Sequence, residues 1–174
     1  MQKITLFVLL AFSFICAGES FAAEIIIYKE KRRLEYKSTS ISRVFRIALG
    51  AQPVGKKRQE GDKKTPEGTY FITHKNPNSQ YYLSLGISYP NAADAKAGFN
   101  AKLISAAQYA KIKESIANKE LPPQKTRLGG EIFIHGRGAK TDWTWGCVAL
   151  DDENMQFLFN IVEVGDTVRI LKWI

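Results

Sequence analysis

The sequence predicts a mostly β domain that carries one or two helices. Most of the chain alternates apolar and polar residues in short runs separated by turn residues, which is typical of strands. Only two segments show the spacing and the cap residues of helices. No internal repeat, low-complexity tract or linker interrupts the chain, so we expect a single folded domain.

The first half of the chain supplies most of the predicted strands. Residues 24–38 place apolar residues on both sides of the charged run KEKRR, which is a hairpin pattern. Residues 42–50 predict a third strand, because apolar residues occupy alternate positions. A long loop rich in Gly, Pro and charge follows over residues 50–68, and the strand pattern resumes over residues 69–75.

The middle of the chain predicts the first helix, within residues 103–123. Ser105 and Gln108 have the spacing of a capping box. Ile104 and Tyr109 have the spacing of a hydrophobic staple around the same cap. Two consecutive prolines then end the helix.

The C-terminal part predicts a strand, a helix and a strand in that order. Residues 131–136 predict a strand that ends at His135. Residues 151–165 predict a helix with an aspartate at its N-cap and an apolar face. Residues 166–174 predict the closing strand.

Residues 1–22 have the features of a secretory signal peptide. Lys3 supplies the positive start, an apolar run follows, and Ser20 and Ala22 are small residues at the expected cleavage site. The apolar run is too short to span a bilayer comfortably. We therefore expect residues 23–174 to be exported to the periplasm or cell envelope, with no integral membrane segment after cleavage. An uncleaved anchor is the alternative.

The net charge of +8 bears on the partners of the exported protein. A basic protein is drawn to polyanions, and in a bacterial envelope these are the cell wall and anionic lipids. Nucleic acid is not an expected partner, because the basic run of residues 55–64 has no aromatic residues interleaved for base stacking. A solvated loop is the alternative interpretation of this run.

Cleavage would remove Cys16 and leave Cys147 as the single cysteine, so an internal disulfide is excluded. The remaining thiol is then a buried bystander, an intermolecular bridge or a reactive group. A nearby histidine and a helix N-terminus both favour the thiolate, and the sequence offers His135 before Cys147 and a predicted helix after it. We therefore expect the pKa of Cys147 to lie below its ordinary value.

Two alternatives remain open for these residues. A zinc site needs more ligands than one cysteine and one histidine, and His74 is far away in sequence. His135 also fits a structural histidine whose ring nitrogens are satisfied in the core. A lone Cys–His pair does not separate these possibilities.

Two segments of the chain resemble the L,D-transpeptidase catalytic domain, also called the YkuD domain. The downstream segment has His135-Gly136, a variable loop and then the run of residues 144–148, TWGCV, which is similar to the family's Ser/Thr-x-Gly-Cys signature. The upstream segment, residues 43–72, is similar to the family's strand, Leu-Gly, Gly-Asp-x-x-Thr-Pro-x-Gly and strand. The resemblance covers nearly all of residues 23–174 and implies a β-sandwich-like fold.

The resemblance implies roles for the residues of the signature. Cys147 would be the nucleophile and His135 the general base, while the backbone carbonyl of Gly136 would orient the imidazole. The backbone N–H groups of Cys147, Gly146 and Trp145 would form the oxyanion hole.

The chain also departs from the family pattern. Trp145 replaces the usual histidine and Ala149 the usual arginine, which places the chain in a divergent branch with Trp-Thr-x-Gly-Cys-x-Ala around the nucleophile. Arg137 is the candidate to replace the missing cation, with a solvent-facing arginine as the alternative. Trp143, Thr144 and Trp145 complete the substrate-binding candidates, and core packing is the alternative for at least one tryptophan.

The resemblance implies a cysteine-dependent L,D-transpeptidase that acts on peptidoglycan stem peptides through a thioester, with no metal or organic cofactor. An amine acceptor would give a cross-link or would attach a protein such as a lipoprotein to the wall. Water as the acceptor would make it an L,D-carboxypeptidase, or a hydrolase that releases wall-attached protein. A non-catalytic wall-binding protein is the alternative from another class.

Overall fold

The computed structural model of the protein describes residues 23–172, so the predicted signal peptide lies outside the described residues. The described residues form eight strands and three helices. The strands are β1 Glu24–Tyr28, β2 Arg33–Lys37, β3 Ser42–Arg46, β4 Gly68–Ser79, β5 Tyr82–Ile87, β6 Phe133–His135, β7 Val148–Ala149 and β8 Thr167–Leu171. The helices are α1 Ala92–Asn100, α2 Ala106–Ala117 and α3 Asp152–Ile161. The prediction of a mostly β fold is confirmed.

All eight strands belong to one curled sheet, in the order β3-β2-β1-β8-β4-β5-β6-β7. The predicted hairpin is confirmed, because β1 and β2 pair antiparallel with Ile25 opposite Tyr36 and Ile27 opposite Leu34. The closing strand β8 enters the sheet between β1 and β4, parallel to β1. The two ends of the described chain therefore meet in the middle of the sheet.

The main core lies between the inner face of the curled sheet and α3. Strands contribute Ile25, Leu34 and Leu85, and α3 contributes Met155 and Leu158, all fully buried. Apolar side chains at alternate strand positions and at the spacing of one helix face bring these residues to one side of each element. The edge of the sheet that contains β6 and β7 is packed against this core.

Two helices form an insertion between β5 and β6. The predicted capping box of α2 is confirmed: the Ser105 hydroxyl accepts from the Gln108 amide, and the Gln108 side chain accepts from the Ser105 amide. The structure also contains α1, which the sequence did not predict, because its few apolar residues give a weak periodic pattern. We call residues 92–128 the helical insertion.

The helical insertion has a small core of its own. Ala95, Ile104, Ile112 and Leu128 are buried against one another. None of the helices formed by residues 23–172 is long and apolar enough to cross a membrane.

Candidate active site

Strands β6 and β7 bring His135 and Cys147 to the same edge of the sheet. The two strands pair in parallel, with Ile134 opposite Val148 and His135 opposite Ala149. Cys147 directly precedes β7, two positions before Ala149. This register brings His135 and Cys147 to neighbouring positions at one edge of the sheet.

The thiol of Cys147 contacts the backbone at the start of β6. It donates to the Glu131 carbonyl oxygen at 3.5 Å, and its Sγ accepts from the Phe133 amide at 3.4 Å. The residue is partly exposed, but its sulfur is surrounded by protein atoms on most sides. Burial raises the pKa of Cys147 to about 11, because it disfavours the thiolate more than the Phe133 amide favours it.

The expectation of a lowered thiol pKa is therefore wrong for the free protein. It rested on two stabilising groups, the imidazole of His135 and the N-terminus of the helix predicted from residue 151. In the structure, β7 and Leu150 separate Cys147 from α3, which begins at Asp152. Because the effect of a helix N-terminus falls off within one turn, α3 does not offset the burial of the sulfur.

His135 is buried, with 2% of its surface exposed, and its ring has a defined tautomer. Nδ1 lies 2.7 Å from the Gly136 carbonyl oxygen. A carbonyl can only accept, so this contact assigns the proton to Nδ1 and leaves the lone pair on Nε2. Burial lowers the pKa of His135, and the hydrogen bond to Gly136 opposes that effect only in part. The imidazole is therefore neutral near pH 7 and able to accept a proton.

Two aromatic rings cover the imidazole. Tyr81 stacks on it with ring centroids 4.7 Å apart, and Trp143 meets it edge-on at 5.5 Å. The Trp143 indole N–H is held by the Gly138 carbonyl oxygen at 3.2 Å. No motif or periodic pattern identified Tyr81, which lies in the turn before β5, a strand that the apolar pattern did not predict.

The two sequence segments that carried the family resemblance meet at the cysteine. The Ala51 amide donates to the Thr144 carbonyl oxygen at 2.9 Å, which joins the upstream segment to the loop before Cys147. Gly146 has a φ of +129°, and a Cβ there would lie 2.8 Å from the Lys64 carbonyl oxygen. Both the backbone angle and the close approach require glycine at this position.

A carboxylate organises the loop of residues 55–65. Asp62 accepts from the amides of Arg58, Gln59 and Lys64, and it forms an ion pair with Lys57 at 2.9 Å. Burial alone would raise the pKa of Asp62, but these hydrogen bonds outweigh burial and lower it. The aspartate of the Gly-Asp-x-x-Thr-Pro-x-Gly segment is therefore a structural residue of this loop.

A buried lysine ties the same loop to β1. Lys29 is fully buried, and its ammonium group donates to the carbonyl oxygens of Gly55 and Thr65 at 2.6 and 3.0 Å and to Glu67 at 2.8 Å. Burial lowers the pKa of Lys29, which Glu67 counteracts. The loop whose Lys64 carbonyl packs on Gly146 is thus fixed by Asp62 within the loop and by Lys29 directly after β1.

The predicted substrate-binding residues lie in different surroundings. Thr144 is buried, and its hydroxyl accepts from the Gly146 amide at 3.1 Å and donates to the Cys147 carbonyl oxygen at 2.7 Å. Trp145 is 69% exposed, and the Lys63 ammonium lies 4.8 Å from the centre of its ring. Arg137 lines a separate shallow pocket with Gly138, Asp151 and Asp152.

An open cleft of about 800 Å³ lies beside Cys147, between the helical insertion and the loop around Asp62. Its lining includes Cys147, Trp145, the cations Lys125 and Arg127, and the acids Glu60 and Glu131. Sequence reasoning did not identify these four charged residues, because they belong to no motif and come together only through the fold. The cleft is large enough for a peptide substrate.

Within residues 23–172, no group of three or more His, Cys, Asp and Glu residues is placed to hold a metal ion. His74 lies on β4, where it meets the ring of Phe133 edge-on at 5.9 Å. Its Nδ1 is 2.9 Å from the Thr73 hydroxyl. These contacts are those of a packed histidine.

A mostly β domain that joins a His-Gly strand end to a Thr-x-Gly-Cys loop defines the class of the protein. A model of the L,D-transpeptidase catalytic domain family, YkuD, matches residues 22–170. The chain belongs to this family. Members of the family act on peptidoglycan stem peptides in the cell envelope.

Relatives of known sequence or structure agree with this assignment. Over 87 residues the chain is 31% identical to the putative L,D-transpeptidase YafK of Escherichia coli (strain K12), which covers 46% of this chain and 35% of that protein. A variant of the helical cell shape determining protein Pgp2 from Campylobacter jejuni has a similar structure, with a TM-score of 0.58, 25% identity, and coverage of 90% of this chain and 49% of that chain. An L,D-transpeptidase from Mycobacterium smegmatis shares the fold at a TM-score of 0.50 and 11% identity, covering 86% and 58% of the two chains. The chain thus spans about a third of YafK and about half of Pgp2.

Proposed function

We propose that this protein is an exported, cysteine-dependent enzyme that transfers acyl groups of peptidoglycan stem peptides, with Cys147 as nucleophile and His135 as general base. The observation that carries the proposal is the parallel register of β6 and β7, which brings the two residues to one sheet edge, with Cys147 lining an open cleft. The Gly136 carbonyl would keep the proton on Nδ1 of His135, so that Nε2 is available as the base.

In the proposed reaction, the carbonyl of a diamino acid followed by a terminal D-alanine enters the cleft. The Cys147 sulfur forms a bond to the carbonyl carbon while the thiol proton moves to Nε2 of His135. The carbon–nitrogen bond then breaks, and His135 returns the proton to the departing D-alanine amine. A thioester on Cys147 remains, and an amine or water resolves it.

The raised thiol pKa shapes the first step. At a pKa of about 11, the free protein holds almost no thiolate near pH 7. Proton transfer to His135 therefore accompanies the attack and does not precede it. The thiol must also leave the Glu131 carbonyl, to which it donates in the free protein.

We also propose residues for the oxyanion hole and for the substrate contacts. The Gly146 amide already donates to the Thr144 hydroxyl, so we assign the hole to the N–H groups of Cys147 and Trp145. Because Lys125 and Arg127 line the cleft and Arg137 lies in a different pocket, we assign the role of the missing family arginine to the first two. Trp145 supplies an exposed apolar surface beside the nucleophile.

Mass spectrometry of tetrapeptide muropeptides incubated with the purified protein tests this function. We expect loss of the terminal D-alanine, together with an acyl adduct on Cys147. A cross-linked product would identify an amine acceptor, such as another stem peptide or a lipoprotein. A free tripeptide would identify water and hence L,D-carboxypeptidase activity.

Three variants make the test specific. Cys147→Ala should be folded and inactive, and His135→Gln should be slower by ~10²–10⁴-fold, the range for loss of a positioned general base. His74→Gln is the matched control and should keep the wild-type rate, because His74 packs on Phe133. Turnover by the Cys147→Ala variant, or an unchanged muropeptide pattern with the wild type, would contradict the proposal.

A further inference from the structure

We infer that Asp152 is a positioning residue for His135, and that it acts through the peptide unit between Gly136 and Arg137. The inference rests on the proposed function, in which His135 is the general base. The family resemblance implies a backbone carbonyl as the partner of the imidazole, so the sequence motif does not point to an aspartate or asparagine in that role.

The contacts form a continuous chain of hydrogen bonds. His135 Nδ1–H donates to the Gly136 carbonyl oxygen at 2.7 Å. The Arg137 amide belongs to the same peptide unit as that carbonyl, and it donates to Asp152 Oδ1 at 2.7 Å. The imidazole is therefore connected to a carboxylate through one planar peptide group.

A peptide group transmits orientation as well as polarisation. Because the unit is planar, the bond from Arg137 to Asp152 sets the direction in which the Gly136 carbonyl points. A carboxylate on the N–H side also polarises the carbonyl and strengthens the hydrogen bond that it accepts. Asp152 thus favours the protonated imidazole that forms during attack by Cys147.

The absence of a side chain at Gly136 makes this arrangement possible. A Cβ at Gly136 would lie 2.5 Å from Asp152 Oδ1 and 3.0 Å from the Tyr81 carbonyl oxygen. The Gly136 amide donates to that Tyr81 oxygen at 3.0 Å, which holds the preceding peptide unit as well. Glycine is required here so that the carboxylate can approach the backbone.

The aromatic rings that pack on His135 strengthen its electrostatic interaction with the Asp152 carboxylate. His135 is 2% exposed, whereas Tyr81 and Trp143, which pack on its ring, are each 37% exposed. The two rings therefore stand between the imidazole and solvent. Electrostatic interactions are stronger where water is excluded.

The neighbouring aspartate offers a matched control. Asp151 Oδ1 accepts from the Ala139 amide at 3.0 Å, so it ties α3 to the same loop. The Ala139 amide belongs to a different peptide unit from the Gly136 carbonyl, which is the group that accepts from the imidazole. Asp151→Asn and Asp152→Asn both remove one negative charge near α3 and keep an acceptor oxygen.

Steady-state kinetics on tetrapeptide muropeptides separate the two residues. We expect Asp152→Asn to lower kcat about tenfold with KM unchanged, the order of effect found when the outer partner of a metal-bound histidine is removed. Asp151→Asn should stay within about twofold of the wild type. Equal effects of the two variants, or wild-type kcat in Asp152→Asn, would overturn the inference and make the contact a purely structural tie.

A titration of His135 by NMR gives a readout that does not need turnover. The measurement uses the Cys147→Ala background, with His74 as the internal reference signal. Loss of the Asp152 carboxylate disfavours the imidazolium, so the pKa of His135 should fall further in Asp152→Asn than in Asp151→Asn. In this background the other titratable or charged groups around the pair are Tyr81, which stacks on the ring, Arg137 and Asp151, which line one pocket with Asp152, and Glu153 in the first turn of α3.

The two measurements distinguish the possible failures. If the wild type does not process muropeptides but the His135 titration shifts as expected, the proposed function fails and the positioning contact stands. If the wild type is active and neither kcat nor the His135 titration responds to Asp152→Asn, the inference fails alone. Should Asp152→Asn fold poorly, Asp152→Glu keeps the charge and should retain more of the wild-type kcat than Asp152→Ala.

Discussion

At the scale of single residues, Cys147 keeps its proton in the free protein. Its sulfur exchanges hydrogen bonds with backbone groups of Glu131 and Phe133, and burial of the sulfur raises its pKa to about 11. His135, in contrast, is neutral and has one nitrogen available. The pair therefore begins as thiol and imidazole, a form in which neither partner carries the charge that a buried site disfavours.

Alkylation of Cys147 tests this resting state. The rate of reaction with iodoacetamide follows the thiolate fraction, so we expect it to rise with pH well above 9, toward a midpoint near a pKa of about 11. His135→Gln should leave that midpoint nearly unchanged, because the raised pKa is caused by burial. A midpoint near neutrality that moves upward in His135→Gln would instead indicate a preformed thiolate–imidazolium pair.

At the scale of elements, the loop around Asp62 packs against the backbone next to the cysteine, where the Lys64 carbonyl approaches Gly146. The side chain of Lys57 is 3% exposed and that of Asp62 13% exposed, so the pair is largely buried. Asp62 also accepts three backbone amides. Removal of one partner from such a pair leaves buried groups without hydrogen bonds and is costly.

Asp62→Ala should lower the free energy of unfolding by about 2–3 kcal/mol, measured by urea denaturation. Glu114→Ala is the matched control: its ion pair with Lys111 lies on the surface of α2, so its removal should have little measurable effect. Similar losses in the two variants would contradict the structural role of Asp62.

The same residue predicts a dependence of stability on pH. The folded-state pKa of Asp62 is lowered, so its contribution is complete above the ordinary aspartate pKa of about 3.9 and is lost as pH falls through the folded pKa. Between pH 5 and pH 2, as rough bounds, the wild type should therefore lose more stability than Asp62→Asn.

At the scale of the whole molecule, the cleft lies between parts of the chain that have separate cores. The sheet and α3 form the main core, and the helical insertion has the small core around Leu128. Lys125 and Arg127 belong to the insertion, whereas Cys147 belongs to the sheet edge. The insertion can therefore lose structure and open the cleft while the sheet remains folded.

Leu128→Ala tests this independence. Truncation of a buried leucine costs about 2–5 kcal/mol, and we expect the loss to appear as faster hydrogen exchange in α1 and α2, with β1 and β8 still protected. KM for muropeptides should rise, because one wall of the cleft loosens. Leu158→Ala in the main core is the control and should reduce protection throughout; the same uniform loss in Leu128→Ala would show a single cooperative unit.

The sequence by itself determined the features that depend on neighbouring residues. Alternating apolar residues predicted the β1–β2 hairpin, and the spacing of Ser105 and Gln108 predicted the cap of α2. The strand end at His135 and the core face of α3 followed from the same local rules. These predictions held because backbone hydrogen bonds in hairpins and caps are made within a few residues of the chain.

Only the tertiary structure decided the surroundings of the site. The β8 strand between β1 and β4, the parallel pairing of β6 with β7, and the cleft lining all join segments far apart in sequence. Burial of the Cys147 sulfur reversed the expected direction of its pKa shift, and the fold placed Asp152 one peptide unit from His135. Local patterns carry no information on these points, because desolvation and long-range contacts depend on which segments pack together.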